Sequence, residues 1–133
     1  MSKIKIRNLN KEDILKCIKL FRDTVHAINT NDYSSEQVNI WAPESIDPSD
    51  ERWQSLLTNI SLVAELDNEI VGFVDMTRTG YIDRLYVHKD HQREGIATVL
   101  FSSIEKSAKE HSIAEITTEA SITAKFFLRK EVL

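Results

Sequence analysis

The chain is poor in residues that break or staple a backbone: three glycines, two prolines and one cysteine in 133 residues. So little Gly and Pro excludes collagen-like, linker-like and Gly/Pro-rich disordered chains. Gly72, Gly80 and Gly95 do not spell a Walker A loop, and no G-x-G occurs, so the dinucleotide-binding fingerprint is absent too. The lone Cys17 allows no internal disulfide and fits a reducing cytosol, so a cytoplasmic protein with a buried helix thiol is expected. No apolar run approaches the ~18 residues of a membrane span. No apolar stretch follows Met1–Lys5 as a signal peptide would require. Excess positive charge is also missing, with 17 Lys and Arg against 21 Asp and Glu, which argues against a nucleic-acid partner.

What remains is an ordinary globular composition, 41% hydrophobic and 29% charged, and residues 1–133 are expected to form one domain. Lys3–Arg7 alternates polar and apolar residues, as a half-buried strand does. Asn10 and Asp13 resemble a capping box, and Ile14, Ile18, Phe21 and Val25 form the apolar stripe of a helix running to Ala27. Ser34 and Gln37 open a shorter helix through Trp41, which Pro43 stops. Asp47-Pro48 reads as the start of another helix, carrying Trp53, Leu56 and Leu57. The period then changes. Residues 61–66, 70–77 and 81–87 read as three strands joined by turns at Asp67-Asn68 and Thr79-Gly80, an antiparallel meander. Ile96, Leu100, Ile104 and Ala108 mark a helix, residues 114–118 a fifth strand and 122–130 a last helix.

Chemistry concentrates where the strand 81–87 passes through His88-Lys89-Asp90-His91 into Gln92-Arg93-Glu94-Gly95-Ile96-Ala97. The first N–H groups of a helix lack internal partners and sit at the positive end of its dipole, where a phosphate satisfies them. Gly95 permits close approach to the backbone, and Arg93 adds a cation. His88 and His91 lack a third ligand, so no metal site is expected. Tyr33, Trp41 and Trp53 read as packing aromatics.

Gln92–Ala97 resembles the Q/R-x-x-G-x-G/A signature of the GCN5-related N-acetyltransferases (GNAT), and the order of elements is similar over nearly the whole chain. The segments 33–42 and 119–125 resemble a subgroup of small bacterial acetyltransferases. The resemblance implies a mixed α/β GNAT fold, mostly antiparallel, with strands four and five parallel and splayed. It implies acetyl-CoA as cosubstrate, an amine acceptor and N-acetyl transfer. Leu85, Tyr86 and Val87 would meet the pantetheine arm. Gln92, Arg93, Glu94, Gly95, Ile96, Ala97 and Thr98 would form the pyrophosphate cradle, with Ser121 on the far side.

Acyl transfer needs an acceptor for the amine's proton. Asp83 is the acid inside the fourth strand. Period-2 alternation puts it on the face of Tyr81, Leu85 and Val87; Glu65 and Asp75 are weaker candidates, each expected to be solvated. The family's usual Pro-Phe-Phe and Tyr-Gly-Phe segments, the second carrying a Tyr acid, are absent after Lys125, and the last strands of the family are expected to be lacking. Tyr81 or Tyr86 would then substitute as the acid. A CoA-binding module without turnover, or a structural remnant, remains the alternative. An uncovered fifth strand and final helix would favour a homodimer built from residues 112–133.

Overall fold

A computed structural model describes residues 3–28 and 46–118. Five strands form one sheet in the order β1 (Lys5–Asn8), β2 (Ile60–Leu66), β3 (Glu69–Met76), β4 (Tyr81–Val87) and β5 (Thr117–Thr118). The first four pair antiparallel, and β5 runs parallel to β4. Helices α1 (Ile14–Ile28) and α2 (Glu51–Thr58) cover one face, and α3 (Ile96–Glu110) covers the other. This is the mixed α/β arrangement expected.

The helices form where apolar residues recur at helical spacing. Ile14, Cys17 and Ile18 of α1 pack with Trp53 and Leu56 of α2 and with Val63 and Phe73 of the sheet. Ile96, Leu100, Ile104 and Ala108 of α3 pack with Leu62, Val74, Met76, Ile82, Leu85 and Val87 on the opposite face. Cys17 is fully buried, and burial pushes its thiol up to about 12, so it is an inert core residue.

Several boundaries differ from expectation. β1 begins at Lys5 rather than Lys3. Helix α2 begins after Asp50, whose carboxylate accepts the Arg52 N–H at 2.8 Å, whereas Asp47 turns back onto the N–H of Ser49 at 2.9 Å. Leu57 is exposed, not core. Residues 114–116 are irregular, so the described part of the fifth strand is Thr117–Thr118 alone. The helices expected at 34–41 and 122–130, Tyr33, Trp41 and most of the dimer segment 112–133 lie outside the described residues. Among the described residues no helix is long and apolar enough to cross a membrane, and no three His, Cys, Asp or Glu side chains gather as a metal site.

Two register shifts shape the sheet. Ala64 pairs with Gly72 but Glu65 with Ile70, leaving Val71 as an extra residue. Asp75 pairs with Arg84 but Met76 with Ile82, leaving Asp83 as an extra residue in β4. A bulge of this kind bends the strand and resets which side chains share a face. Ile82 and Leu85 therefore pack against α3 together although they are three apart. The expectation that Asp83 shares a face with Leu85 and Val87 by simple alternation is overturned by this bulge.

At the far edge, Arg7 of β1 grips Asp13 through two hydrogen bonds of 2.7 and 2.9 Å and Glu65 through one of 2.8 Å. Asp13 also accepts the Asn10 N–H at 2.7 Å. Glu65 is thus held in an ion pair rather than solvated. The Arg7 guanidinium, helped by that N–H, holds the Asp13 carboxyl below the usual carboxylate range. A depressed folded-state value stabilises fully above the unfolded value of about 3.9 and is lost as pH falls through the folded value. Asp13→Asn should therefore be clearly less stable than the native chain near neutral pH, and the gap in urea midpoint should close in strong acid. A gap that does not change with pH would contradict this origin of its stability.

Candidate functional site

The site begins where β4 leaves the sheet. The His88 N–H donates to Val71 of β3 at 2.8 Å. Strand groups alternate sides, so the Tyr86 N–H also turns to β3, while Leu85 and Val87 turn their N–H and C=O groups away from it. The Val87 carbonyl agrees with this: it accepts from the Gln92 side chain at 2.6 Å and from the Thr24 hydroxyl at 3.2 Å. Among the described residues, β5 pairs only with Tyr81 and Ile82. From Asp83 to Val87 the outer edge of β4 therefore has no described strand beside it.

The loop that follows is locked from within. Gln92 also donates to the His88 carbonyl at 3.2 Å, so its amide fixes the turn; it was expected among the cofactor contacts, and it acts as a brace. The His88 Nδ1 accepts the Asp90 N–H at 3.0 Å, and the His91 Nδ1 lies 3.1 Å from Glu94. Arg93 (φ 63) and Gly95 (φ 83) both adopt left-handed backbone. Gly95 heads α3 and brings no side chain to cap it. The first intrahelical bond here is Val99 N–H to the Gly95 carbonyl at 3.1 Å, which leaves the N–H groups of Ile96, Ala97 and Thr98 ahead of the ladder. A Cβ placed on Gly95 would meet nothing within 4 Å, so the space before these donors is open. Arg93, Glu94 and Gly95 are exposed, Ala97 and Thr98 half-buried and Ile96 buried. Three N–H groups ahead of the helix ladder and open space before Gly95 make the loop a candidate anion seat.

Gly72, which belongs to no glycine motif, sets the position of this loop. A Cβ there would lie 3.0 Å from Leu100, 3.1 Å from Ile96 and 3.1 Å from the Tyr86 carbonyl. Its missing side chain lets the first turns of α3 settle onto β3. An isolated glycine inside a strand pattern is the signal that could have revealed this close approach.

The candidate acids and bases separate. Asp83 is exposed on the bulge, the first β4 residue beyond the described pairing with β5, and its carboxylate lies 3.6 Å from Arg84. Tyr81 is half-buried two residues earlier. Tyr86 is not brought to the site. Its ring stands edge-on to Phe21 at 5.0 Å beneath the opposite face, and burial pushes its hydroxyl up to about 12. Trp53 is a core aromatic, as expected. Asp75 is fully buried, contrary to expectation. One oxygen accepts from Arg84 Nε at 3.0 Å; the other accepts from Arg84 Nη2 at 2.7 Å and from Asn59 at 2.8 Å. Arg84 further donates to the Arg52 carbonyl at 2.6 Å and to the Ser55 hydroxyl at 2.8 Å, and its guanidinium lies 5.2 Å from the Trp53 ring centre. With both oxygens engaged, Asp75 is a structural anion and not a base. Opposite charges on either side of the Thr79-Gly80 turn were the sequence signal for this pair. Ser121 lies outside the described residues.

Comparison with known proteins agrees with this fold. A model of the acetyltransferase (GNAT) domain matches residues 29–130. An uncharacterised N-acetyltransferase of Escherichia coli, YafP, is 34% identical over 131 residues, covering 98% of this chain and 81% of that protein. The crystal structure of a GCN5-related N-acetyltransferase from Rhodopseudomonas palustris superposes with a TM-score of 0.87 at 30% identity, covering 98% of this chain and 81% of the other. The PaiA N-acetyltransferase of Thermoplasma acidophilum, solved in complex with coenzyme A, shares the fold with a TM-score of 0.79 at 22% identity, covering 96% and 88% of the two chains.

The packing at Gly72 carries a direct test. Gly72→Val improves strand propensity but overpacks the seam with α3, and should cost about 1–3 kcal/mol in urea denaturation. Unchanged or increased stability would show that the seam has room to spare.

Proposed function

The chain belongs to the GNAT acetyltransferase family, and from that premise we propose that it transfers the acetyl group of acetyl-CoA to an amine of a small molecule or peptide. One observation carries the reading: the uncapped N-terminus of α3, led by left-handed Gly95, opens beside the edge of β4 that turns away from β3. The Ile96, Ala97 and Thr98 N–H groups fit a pyrophosphate, with Arg93 as the adjoining cation. Each charge-assisted bond is worth about 1.5–3 kcal/mol. The Leu85 N–H and C=O and the Val87 N–H suit an extended amide-bearing arm that adds to the sheet like a strand. The Val87 carbonyl is already engaged by Gln92 and Thr24. The coenzyme A bound by the PaiA protein supports the same ligand class here.

In this reading a neutral amine attacks the thioester carbonyl carbon. A C–N bond forms, the C–S bond breaks, the amine gives up a proton and the departing thiolate takes one. Asp83 is assigned the base, because it combines a carboxylate, exposure and a place on the β4 bulge. Tyr81, on the same strand, is assigned the hydroxyl that returns a proton to sulfur.

Acetyl-CoA should raise the melting temperature, since a ligand at about 100 times its Kd adds about 2.7 kcal/mol to stability. Gly95→Asp should keep the fold, because Asp tolerates left-handed backbone, yet lose the shift by setting a carboxylate in the anion seat. In an amine screen reading released thiol, Asp83→Asn should lower kcat about tenfold or more while the KM for acetyl-CoA stays within about twofold. No melting shift with the native chain at millimolar acetyl-CoA would overturn the proposal, and an unchanged kcat would remove Asp83 from the base role.

A further inference from the structure

The Asp75–Arg84 pair does more than fill the core, and its position relative to the bulge says what. Asp75 and Arg84 are direct cross-strand partners, and the register shifts at the very next step, where Met76 pairs with Ile82. Arg84 must face α2, because there it finds Asp75, the Arg52 carbonyl, Ser55 and the Trp53 ring. Ile82 must face α3, where it is fully buried among Val74, Met76, Leu85 and Ile104. In a regular strand residues 82 and 84 share a face. Both demands are met only if one residue between them is taken out of the alternation, and that residue is Asp83.

From this we infer that the buried Asp75–Arg84 pair is a positioning device: it pins the β4 register, forces the bulge onto residue 83 and so aims Asp83 and the Leu85 backbone at the acetyl-transfer site. An apolar side chain at 84 could pack on either face and would specify no register. The Arg84 guanidinium has its carboxylate and its other acceptors on the α2 side, so it can face only one way. Buried ions used to set register are known elsewhere, whereas their net contribution to stability is often small against a well-packed apolar substitute. The inference rests on the acetyl-transfer reading for its catalytic part only; the register part stands on geometry alone.

The test replaces the pair rather than breaking it. Asp75→Leu with Arg84→Met removes both charges and keeps similar volume, so the double variant should melt at or near the native temperature. Its Asp83 and Leu85 amide resonances should nevertheless move or split in ¹⁵N–¹H spectra. Its kcat should fall about tenfold or more, and its KM for acetyl-CoA should rise several-fold, because the Leu85 backbone assigned to the pantetheine arm moves with the bulge while Gly72, Gln92 and α3 still hold the anion seat. Arg84→Lys serves if the double variant fails to fold. It keeps the charge on the same face, so the Asp83 and Leu85 amides should stay near their native positions. Native amide positions in the folded double variant, or a kcat that recovers along with stability, would reduce the pair to a merely structural role. Displaced amides in a folded Arg84→Lys variant would likewise overturn the pinning role of the charge. Failure of the native chain to acetylate any amine would instead sink the functional reading, while the amide positions would still decide the register.

Discussion

Ile82 and Arg84 lie two residues apart on one strand and must face opposite sides of the sheet. Much of the site follows from that conflict. The apolar core under α3 claims Ile82, and the polar pocket under α2 claims Arg84. A buried guanidinium without its carboxylate is among the costlier faults a core can carry, about 3–5 kcal/mol. The strand therefore yields at Asp83 rather than at either neighbour. The bulge falls one residue after the described pairing of β4 with β5, and the residue released from alternation is exposed.

A second constraint fixes the other half of the site. Helix α3 approaches β3 so closely that a Cβ at position 72 would press on Leu100, Ile96 and the Tyr86 carbonyl, and the helix begins with a residue that offers no cap. Close packing brings the positive end of the helix to the edge of β4, and the absent cap leaves its donors for a ligand. Gln92 ties the loop to the last carbonyls of β4, so strand edge and helix terminus are held in one relation. The two halves are built from opposite faces of the sheet: the residue proposed to handle the proton depends on the α2 side and the proposed anion seat on the α3 side.

Much of this is legible in the sequence where a single local pattern decides the outcome. The i, i+4 recurrence of Ile96, Leu100, Ile104 and Ala108 gives α3, and the apolar runs separated by Asp67-Asn68 and Thr79-Gly80 give the meander. The GNAT-like Gln92–Ala97 segment marks the candidate anion seat before any geometry is known. Features made by two distant segments are not legible in the same way. Alternation around Asp83 reads as regular, because the bulge arises from what β3 and α2 demand of Arg84. Asp75 reads as solvated because charge alone suggests it, and its partner sits across a hairpin. Tyr86 reads as a site residue because it neighbours Leu85 and Val87, yet alternation turns its ring into the aromatic cluster with Phe21 and Phe73.

The central claim is that one ligand lies across the α3 N-terminus and the outer edge of β4. A titration of the native chain with coenzyme A, followed by ¹⁵N–¹H spectra with assigned amides, tests it most directly. The account predicts that the Ile96, Ala97 and Thr98 amides move together with those of Leu85 and Val87, along a single binding curve, while Tyr86 and the amides of α2 move little. Shifts centred on α1 and α2, or movement of the loop amides without those of β4, would contradict it.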